Sequence, residues 1–355
     1  MEWLEENRQQ LGIFYPYLAA DSVTDIDYNG NMLWVTDSRR GRYKVVNHGI
    51  TPLFVENFTN WTANNVNRPF NKVFNILEAE TGNLRISILH ESVAVSGRSI
   101  CIRKSPDRVR HTEQSLVDSG YCSKEVLTFI RNCVQARMNL VFCGEPGVGK
   151  TECARFFSRY IPPEDRVITI EDTLELHYAQ INGGKDCVEL KIDEKSFDYT
   201  AAIKASLRQN PKWIMLSEAR SREVRYLLEC WSTGVYGFTT MHTDDVRKIP
   251  DRIMNMIGDE IGSERRKNDI YEFVNIGILI RRRQTDDRIE RYIDQVCIFS
   301  REQMRNQVQM LVENGNFREI MLPQFMIRKL KQAKIQDPFG IREKSLTQNN
   351  EKGER

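Results

Sequence analysis

Gly144-Glu145-Pro146-Gly147-Val148-Gly149-Lys150-Thr151 carries glycine, lysine and hydroxyl at every fixed place of the pattern G-x-x-x-x-G-K-[ST]. Glycines at that spacing let a loop curl until successive backbone N–H groups point inward, which suits phosphate oxygens, and a helix starting where the loop ends adds its positive terminus. The amine of Lys150 would then reach the β- and γ-phosphates, while the Thr151 hydroxyl would ligate Mg²⁺. A chance match arises on the order of once in a hundred chains of this length. The flanks lower that further: Asn139 to Cys143 is short, apolar and reads as a buried strand, and Glu152 to Tyr160 lacks Gly and Pro and reads as a helix. Nucleotide binding is the expectation, with Gly144 to Thr151 and the adjoining Glu152 as its contacts.

The elements that must position this loop follow from the apolar pattern. Arg166–Ile170, Cys187–Ile192, Trp213–Ser217 and Tyr236–Met241 read as strands, with helices from Tyr199 to about Arg208 and from Arg222 to Thr233. Alternating strands and helices predict a doubly wound, largely parallel sheet. The carboxyl ends of these strands lead into the glycine loop, into Glu171, Asp172 and Glu175, into Glu218, and into His242. Ligands of open α/β sheets bind outside those ends. Phosphoryl transfer to water needs an acid on the metal side and a carboxylate that positions or deprotonates the water. Glu218 suits the metal side through water, with Asp172 and Thr151 as further metal contacts. Glu171 and Glu175 suit water activation, and His242 could sense the terminal phosphate by hydrogen bonding. Taken singly, each acid is better explained as a solvated loop charge and His242 as a structural histidine. Their shared rim is what favours chemistry.

The totals describe an ordinary globular protein: 355 residues, 40% apolar, 28% charged, net charge +2. A chain of that length exceeds what one core serves, so two domains are expected. Interspersed charge offers no argument for a stable nucleic-acid complex, and no apolar run approaches the ~18 residues of a membrane span. The amino terminus lacks the basic and apolar regions of a secretory signal. Eight cysteines lie scattered without C-x-x-C, as small hydrophobes in a reducing cytosol would. The expected location is cytoplasmic, with peripheral membrane attachment left open.

Residues 1–104 read as a separate α+β domain. Val23–Tyr28 and Met32–Thr36 alternate about an Asn29-Gly30-Asn31 turn, Phe54, Phe58 and Trp61 give Pro52–Val66 a helical period, and Asn83–Leu89 and Arg98–Arg103 read as strands. Its candidates for chemistry are the strand cations Arg85, Arg98, Arg103 and Lys104. They read either as a solvated face or as fingers reaching phosphate across a domain or subunit boundary. Residues 105–119 read as a polar linker and 120–340 as the motor domain with carboxy-terminal helices. Within it, Ser123 caps a helix running to about Arg137. Ser300-Arg301-Glu302-Gln303 fits a capping box opening a helix to about Asn314, and Gln324–Gln336 reads as a basic helix. Residues 341–355 are polar and charged, as a disordered tail is.

With these residues laid out, the chain resembles the type II/IV secretion traffic ATPases, above all the type IV secretion and tight-adherence branches. Ile168-Thr169-Ile170-Glu171-Asp172-Thr173-Leu174-Glu175-Leu176 looks like the family's aspartate box, whose last acid matches Glu175. Leu207-Arg208-Gln209-Asn210-Pro211 through Ser217-Glu218-Ala219-Arg220 looks like its Walker B segment, and Thr233 to His242 like its histidine box. The likeness spans roughly residues 22–300. It implies a RecA-like P-loop ATPase motor domain with a smaller amino-terminal α+β, PAS-like domain, using ATP and Mg²⁺, with Glu175 as the catalytic glutamate. It also implies a ring hexamer with ATP between the two domains of one subunit, passing force to an inner-membrane secretion or pilus complex. By the same analogy Arg85 and Arg103 are the amino-terminal cations nearest phosphate, and Arg208 or Arg220 the motor-domain ones.

The chain departs from the family's pattern at Lys212, where aspartate is usual, at Ser217 for glycine, and at Val235 for the first histidine of the box. Lys212 is expected to weaken the metal environment, and Val235 removes one phosphate sensor. The acids and the loop survive, so hydrolysis is expected. No zinc-binding cysteine quartet is present, which favours the type IV secretion-like branch. Two other readings stay open: an ATP-binding scaffold with weak hydrolysis, and a nucleic-acid translocase, against which near-neutral charge and the lack of an aromatic-basic strip argue.

Overall fold

Alternating burial builds the first of two sheets. In the computed structural model, which describes residues 2–193, 195–258, 262–285 and 288–341, strands β1 (Val23–Tyr28), β2 (Leu33–Asp37), β3 (Gly41–Val45), β4 (Ile76–Thr81), β5 (Leu84–Leu89) and β6 (Ser99–Lys104) form a six-stranded sheet in the order β3-β2-β1-β6-β5-β4. Every neighbouring pair is antiparallel. Ile26, Val35, Ile86, Ile88 and Ile102 turn to one face and are buried with Val55 and Phe58 of helix Pro52–Asn65. That helix is started by Thr51, whose side chain accepts from the Phe54 N–H, and by Pro52 in its first turn. Strands β3 and β4 go beyond the sequence expectation. Both are edge strands in which few residues are fully buried, Leu77 and Ala79 on β4 and Gly41 on β3. The turn at Gly30 needs glycine: φ is 91°, and a Cβ there would lie 2.4 Å from the Ser96 carbonyl.

Arg98, a strand cation in the sequence, proves to be a tether within this unit. It donates to both oxygens of Glu91 (2.7 and 2.8 Å) and to Thr59 Oγ1 (2.6 Å), with its guanidinium over the Phe70 ring. The hydrogen bond from Arg98 outweighs the partial burial of Glu91 and holds its carboxyl down at about 2. A folded-state pKa below the unfolded value gives stability that is present above the unfolded pKa and lost as pH falls through the folded one. Arg98→Ala should therefore cost roughly 2 kcal/mol at neutral pH, discounted for the exposure of Glu91. The gap from wild type should shrink as pH is lowered from about 4.5 to about 2. Denaturant unfolding at pH 7 and at pH 3 checks this, and a pH-independent gap would refute the ion-pair account.

Inter-residue contacts divide the chain into two units, residues 1–107 with 283–290 and residues 108–282 with 291–355. The second holds a nine-stranded sheet of β7 (Leu140–Cys143), β8 (Val167–Glu171), β9 (Cys187–Lys191), β10 (Trp213–Leu216), β11 (Tyr236–Met241), β12 (Ile276–Gln284), β13 (Ile289–Glu302), β14 (Arg305–Glu313) and β15 (Asn316–Phe317), in the order β15-β14-β13-β12-β7-β11-β10-β8-β9. From β12 through β9 the pairings are parallel. Strands β7, β8 and β10 are buried along their whole length, as strands covered on both faces must be. One face packs Phe142 and Phe238 against Phe129, Phe156 and Phe157. The other packs Val141, Ile168 and Ile214 against Leu227 and Trp231.

The segment after residue 300 corrects an expectation. Ser300 to Gln303 opens no helix: β13 continues to Glu302, Gln303 (φ 50°) and Met304 (φ 64°) make a two-residue turn, and β14 returns antiparallel. Val308, Met310 and Val312 recur at every second residue, the period of a strand, and that outranks a local capping match. Ser123 does cap helix Lys124–Gln135, and helix Gln324–Gln332 stops short of Gln336. Helix Glu113–Asp118, capped by Thr112, lies within the segment read as polar linker. The expected disordered tail falls, from residue 342 on, outside the described residues. Among the described residues no helix is long and apolar enough to cross a membrane.

Candidate functional site

Strand β7 ends at Cys143, and the chain turns through Gly144 (φ 146°), Gly147 (φ 74°) and Gly149 (φ 96°) before helix Lys150–Ser158 begins. A Cβ on Gly144 would lie 2.5 Å from the Ile280 carbonyl, so only glycine lets the loop leave the sheet there, whereas Gly147 faces open space. Lys150 is 8% exposed, and its Nζ donates back to the carbonyls of Gly144 (3.2 Å) and Glu145 (3.1 Å). Burial pulls its pKa down, and the charges of Glu218 and Glu175 oppose that pull. Glu175 Oε2 stands 3.5 Å from Thr151 Oγ1.

The strand order β7-β11-β10-β8 sets the carboxyl ends of these strands side by side. His242, after β11, places Nδ1 at 3.2 Å from Lys150 Nζ and 3.1 Å from the Gly144 carbonyl, and Nε2 at 2.7 Å from Glu218 Oε1. A proton on Nε2 alone leaves Nδ1 to accept from Lys150, whereas a doubly protonated ring would donate to Gly144 instead. Glu218, after β10, turns its second oxygen to Arg220, whose guanidinium also reaches Asp172 Oδ2 at 2.8 Å. Lys150, Thr151, Glu175, Glu218, His242, Arg220 and Asp172 are thus joined by contacts along one rim.

Glu171 is different. It is fully buried, and Oε2 accepts the backbone N–H groups of Glu175 and Leu176, each at 2.9 Å, while Oε1 has no hydrogen-bond partner. Burial dominates those two N–H groups and pushes the carboxyl up to about 8. Glu171 therefore faces inward and fastens the loop that carries Glu175. Glu152 is also turned aside: its oxygens take the Arg110 N–H (2.9 Å) and Arg155 (3.0 Å), tying the segment before helix Glu113–Asp118 to the helix after the loop. Glu145 and Pro146 are exposed on the loop, and Val148 is buried beneath it.

The remaining arginines separate. Arg208 is exposed in the single turn Leu207–Gln209, which precedes β10, so it stands at the amino end of that strand with the sheet between it and Glu218. Arg85 and Arg103 belong to the first unit, directly opposite one another on β5 and β6, with Arg103 donating to Asp25 at 2.9 Å. Lys212 and Val235 likewise precede β10 and β11, and Lys212 lies over the Tyr236 ring at 5.3 Å. Two of the three departures from the family's pattern, Lys212 and Val235, thus sit at the amino ends of parallel strands, opposite the glycine loop, whereas Ser217 follows the carboxyl end of β10. The expected weakening of the metal environment by Lys212 has no contact behind it.

Sequence reasoning passed over β12. Its run of arginines ends beside the loop, where Arg281 pairs with Asp294 at 2.7 Å, and Arg282 lines a hollow with Gly144, Glu145, Val148 and Asp244. The repeated arginine at a strand's carboxyl end was the available signal.

The residues fit ATP with Mg²⁺. The loop's glycines leave room where side chains would intrude, a buried amine lies inside the curl, and a hydroxyl follows it beside a carboxylate. Among the described residues no group of three or more His, Cys, Asp or Glu gathers to hold a metal. Mg²⁺ keeps most of its ligands as water and phosphate, so a hydroxyl and a nearby acid suffice.

Comparison with known proteins agrees with this geometry. An uncharacterized protein of Bacillus anthracis is 27% identical over 307 residues, 83% of this chain and 69% of its own length. The conjugal transfer protein TrbB of Rhizobium radiobacter is 28% identical over 203 residues, 56% of this chain and 61% of its length. The type IV secretion system protein VirB11 of Bartonella quintana is 28% identical over 169 residues, 46% of either chain. The matches thus span less than two thirds of the latter two. Among solved structures, the Legionella pneumophila ATPase DotB superposes with a TM-score of 0.61 at 17% identity, over 84% of this chain and 80% of its own. The pilus retraction motor PilT, with bound ADP, gives 0.59 at 17% identity, over 97% and 89%. The fold is that of these proteins: a RecA-like α/β domain with a smaller amino-terminal domain. Residues 71–314 match the model of the type II/IV secretion system protein family, and the chain belongs to that family.

Proposed function

We propose that this protein binds ATP with Mg²⁺ and hydrolyses it as the motor of a macromolecular secretion, conjugation or pilus-assembly machine. The observation that carries the reading is the buried Lys150 amine inside the glycine loop, with Glu175 at Thr151 and Glu218 at His242 on the same rim. The loop's N–H groups and the following helix terminus hold the phosphates, and Lys150 exchanges its loop carbonyls for phosphate oxygens. Thr151 would hold the metal, with Glu218 and Asp172 behind it through water. Mg²⁺, when bound, supplies charge neutralisation at the phosphates. Glu175 takes the proton of the attacking water, and Glu171 sets where Glu175 stands by fastening its backbone. His242 passes the charge state of the phosphate side to Glu218 through its two ring nitrogens.

By likeness to the family, six copies form a ring on the cytoplasmic face of the cell membrane, working on membrane-embedded secretion or pilus proteins. Steady-state phosphate release with Mg²⁺ and ATP tests the chemistry. Molar mass in solution, with and without a non-hydrolysable ATP analogue, tests the ring. A monomer under both conditions would refute the ring motor, and absence of turnover would leave a nucleotide-binding scaffold in its place.

A further inference from the structure

Arg220 entered as a candidate phosphate ligand, and its contacts argue for another task. The guanidinium spends its donors on two acids: Nε and Nη2 on Glu218 Oε2 at 2.8 and 2.7 Å, and Nη1 on Asp172 Oδ2 at 2.8 Å. Both acids are held from their other side. Asp172 Oδ1 accepts the Thr173 N–H at 2.8 Å, and Glu218 Oε1 meets His242 Nε2 at 2.7 Å. The arginine's own backbone is pinned, since the N–H groups of Arg220 and Ser221 both donate to Glu223 Oε1, at 2.6 and 2.7 Å. Glu223 is buried at the start of helix Glu223–Ser232. The Arg220 N–H is therefore anchored by the helix while its side chain bridges the ends of β8 and β10. Burial works against its charge, but the hydrogen bond it donates to Glu218 and the charge of Asp172 more than restore it, so the group stays cationic.

We propose that Arg220 is a positioning residue for hydrolysis: it bridges Asp172 and Glu218, and by fixing one Glu218 oxygen it keeps the other on His242 and so aligns His242 with Lys150. This rests on the ATPase reading above and deepens it. Reaching a phosphate would require Arg220 to abandon three charge-assisted hydrogen bonds and leave two carboxylates facing each other, a costly exchange. A planar fork does what lysine cannot, because a single ammonium does not span both acids with matched geometry.

The test is turnover and nucleotide affinity measured together on the full chain. Arg220→Ala should lower kcat about thirtyfold with the dissociation constant of a fluorescent ATP analogue changed less than about threefold. Arg220→Lys should fall between it and wild type. Millimolar guanidinium chloride should restore part of the kcat of Arg220→Ala and none of that of Glu218→Gln, a rescue that mere loss of folded protein would not show. Combining Arg220→Ala with Glu218→Gln should add little to Glu218→Gln alone. Unchanged kcat in Arg220→Ala, with an active wild type, would overturn this role and leave the ATPase reading intact. A tenfold weaker affinity at unchanged kcat would overturn it in favour of a phosphate ligand. No turnover by wild type would overturn both.

Discussion

Lys150→Ala should reduce ATP turnover on the order of a thousandfold, and most of that loss should appear as weakened nucleotide binding. Charge-assisted hydrogen bonds contribute about 1.5–3 kcal/mol each. An ammonium serving two phosphates therefore supplies about 4 kcal/mol, or about three powers of ten. The site is prepared for that gain. Lys150 is held out of bulk water by the loop, and burial has lowered its pKa, so its charge is poorly solvated until phosphate oxygens arrive. Its present partners, the carbonyls of Gly144 and Glu145, are neutral acceptors that an anion readily outcompetes. Removing the amine leaves the Glu145 carbonyl to water, since Glu145 is exposed, and the buried Gly144 carbonyl to His242 Nδ1 at 3.1 Å, so the fold should survive and circular dichroism should be unchanged. Titration with a fluorescent ATP analogue measures the loss. Binding within about threefold of wild type would detach Lys150 from phosphate altogether and remove the basis of the proposed function.

Glu175→Gln is expected to lower kcat by about a thousandfold while nucleotide affinity is kept, the signature of a lost general base. The substitution keeps the shape, and the backbone N–H of residue 175 can still donate to Glu171, so the loop stays in place. What disappears is the capacity to accept a proton beside Thr151. Glu218→Gln should be milder, because Glu175 is untouched and the amide, with a single acceptor oxygen, gives up one of its two donor neighbours, Arg220 and His242. Phosphate release under single-turnover conditions measures both. A Glu218→Gln enzyme slower than Glu175→Gln would exchange the roles of the two acids.

Neither glutamate's position was equally visible beforehand. Glu175 falls in a continuous segment after β8, where spacing from Glu171 and likeness to an aspartate box point to it. Glu218 could be placed at a strand end, but its grip on His242 joins residues 24 apart in the chain across neighbouring strands. Glu171 misleads for a physical reason: an acid at the end of a buried strand can face the rim or turn back under the loop, and only packing chooses. The helix expected after Ser300 fails because a capping match is a four-residue signal, while the period-two apolar pattern extends through β14. Arg98 was unreadable as a tether, since its partners Glu91 and Thr59 come from a loop and a helix that the strand pattern says nothing about.

The amino-acid sequence by itself determined the glycine loop, the helix it starts, the alternation of strands and helices, and hence the rim where chemistry would lie. These depend on neighbours within a few residues, and even the remoteness of Lys212 and Val235 was implicit in their standing before rather than after their strands. Tertiary structure decided the rest: that β11 and β10 lie between β7 and β8, that Arg220 bridges two acids instead of waiting for phosphate, and that Glu171 is sealed inside. Strand order brings residues from distant parts of the chain to within hydrogen-bonding distance, and burial then fixes which of their atoms can meet. Neither quantity is a local property of the chain.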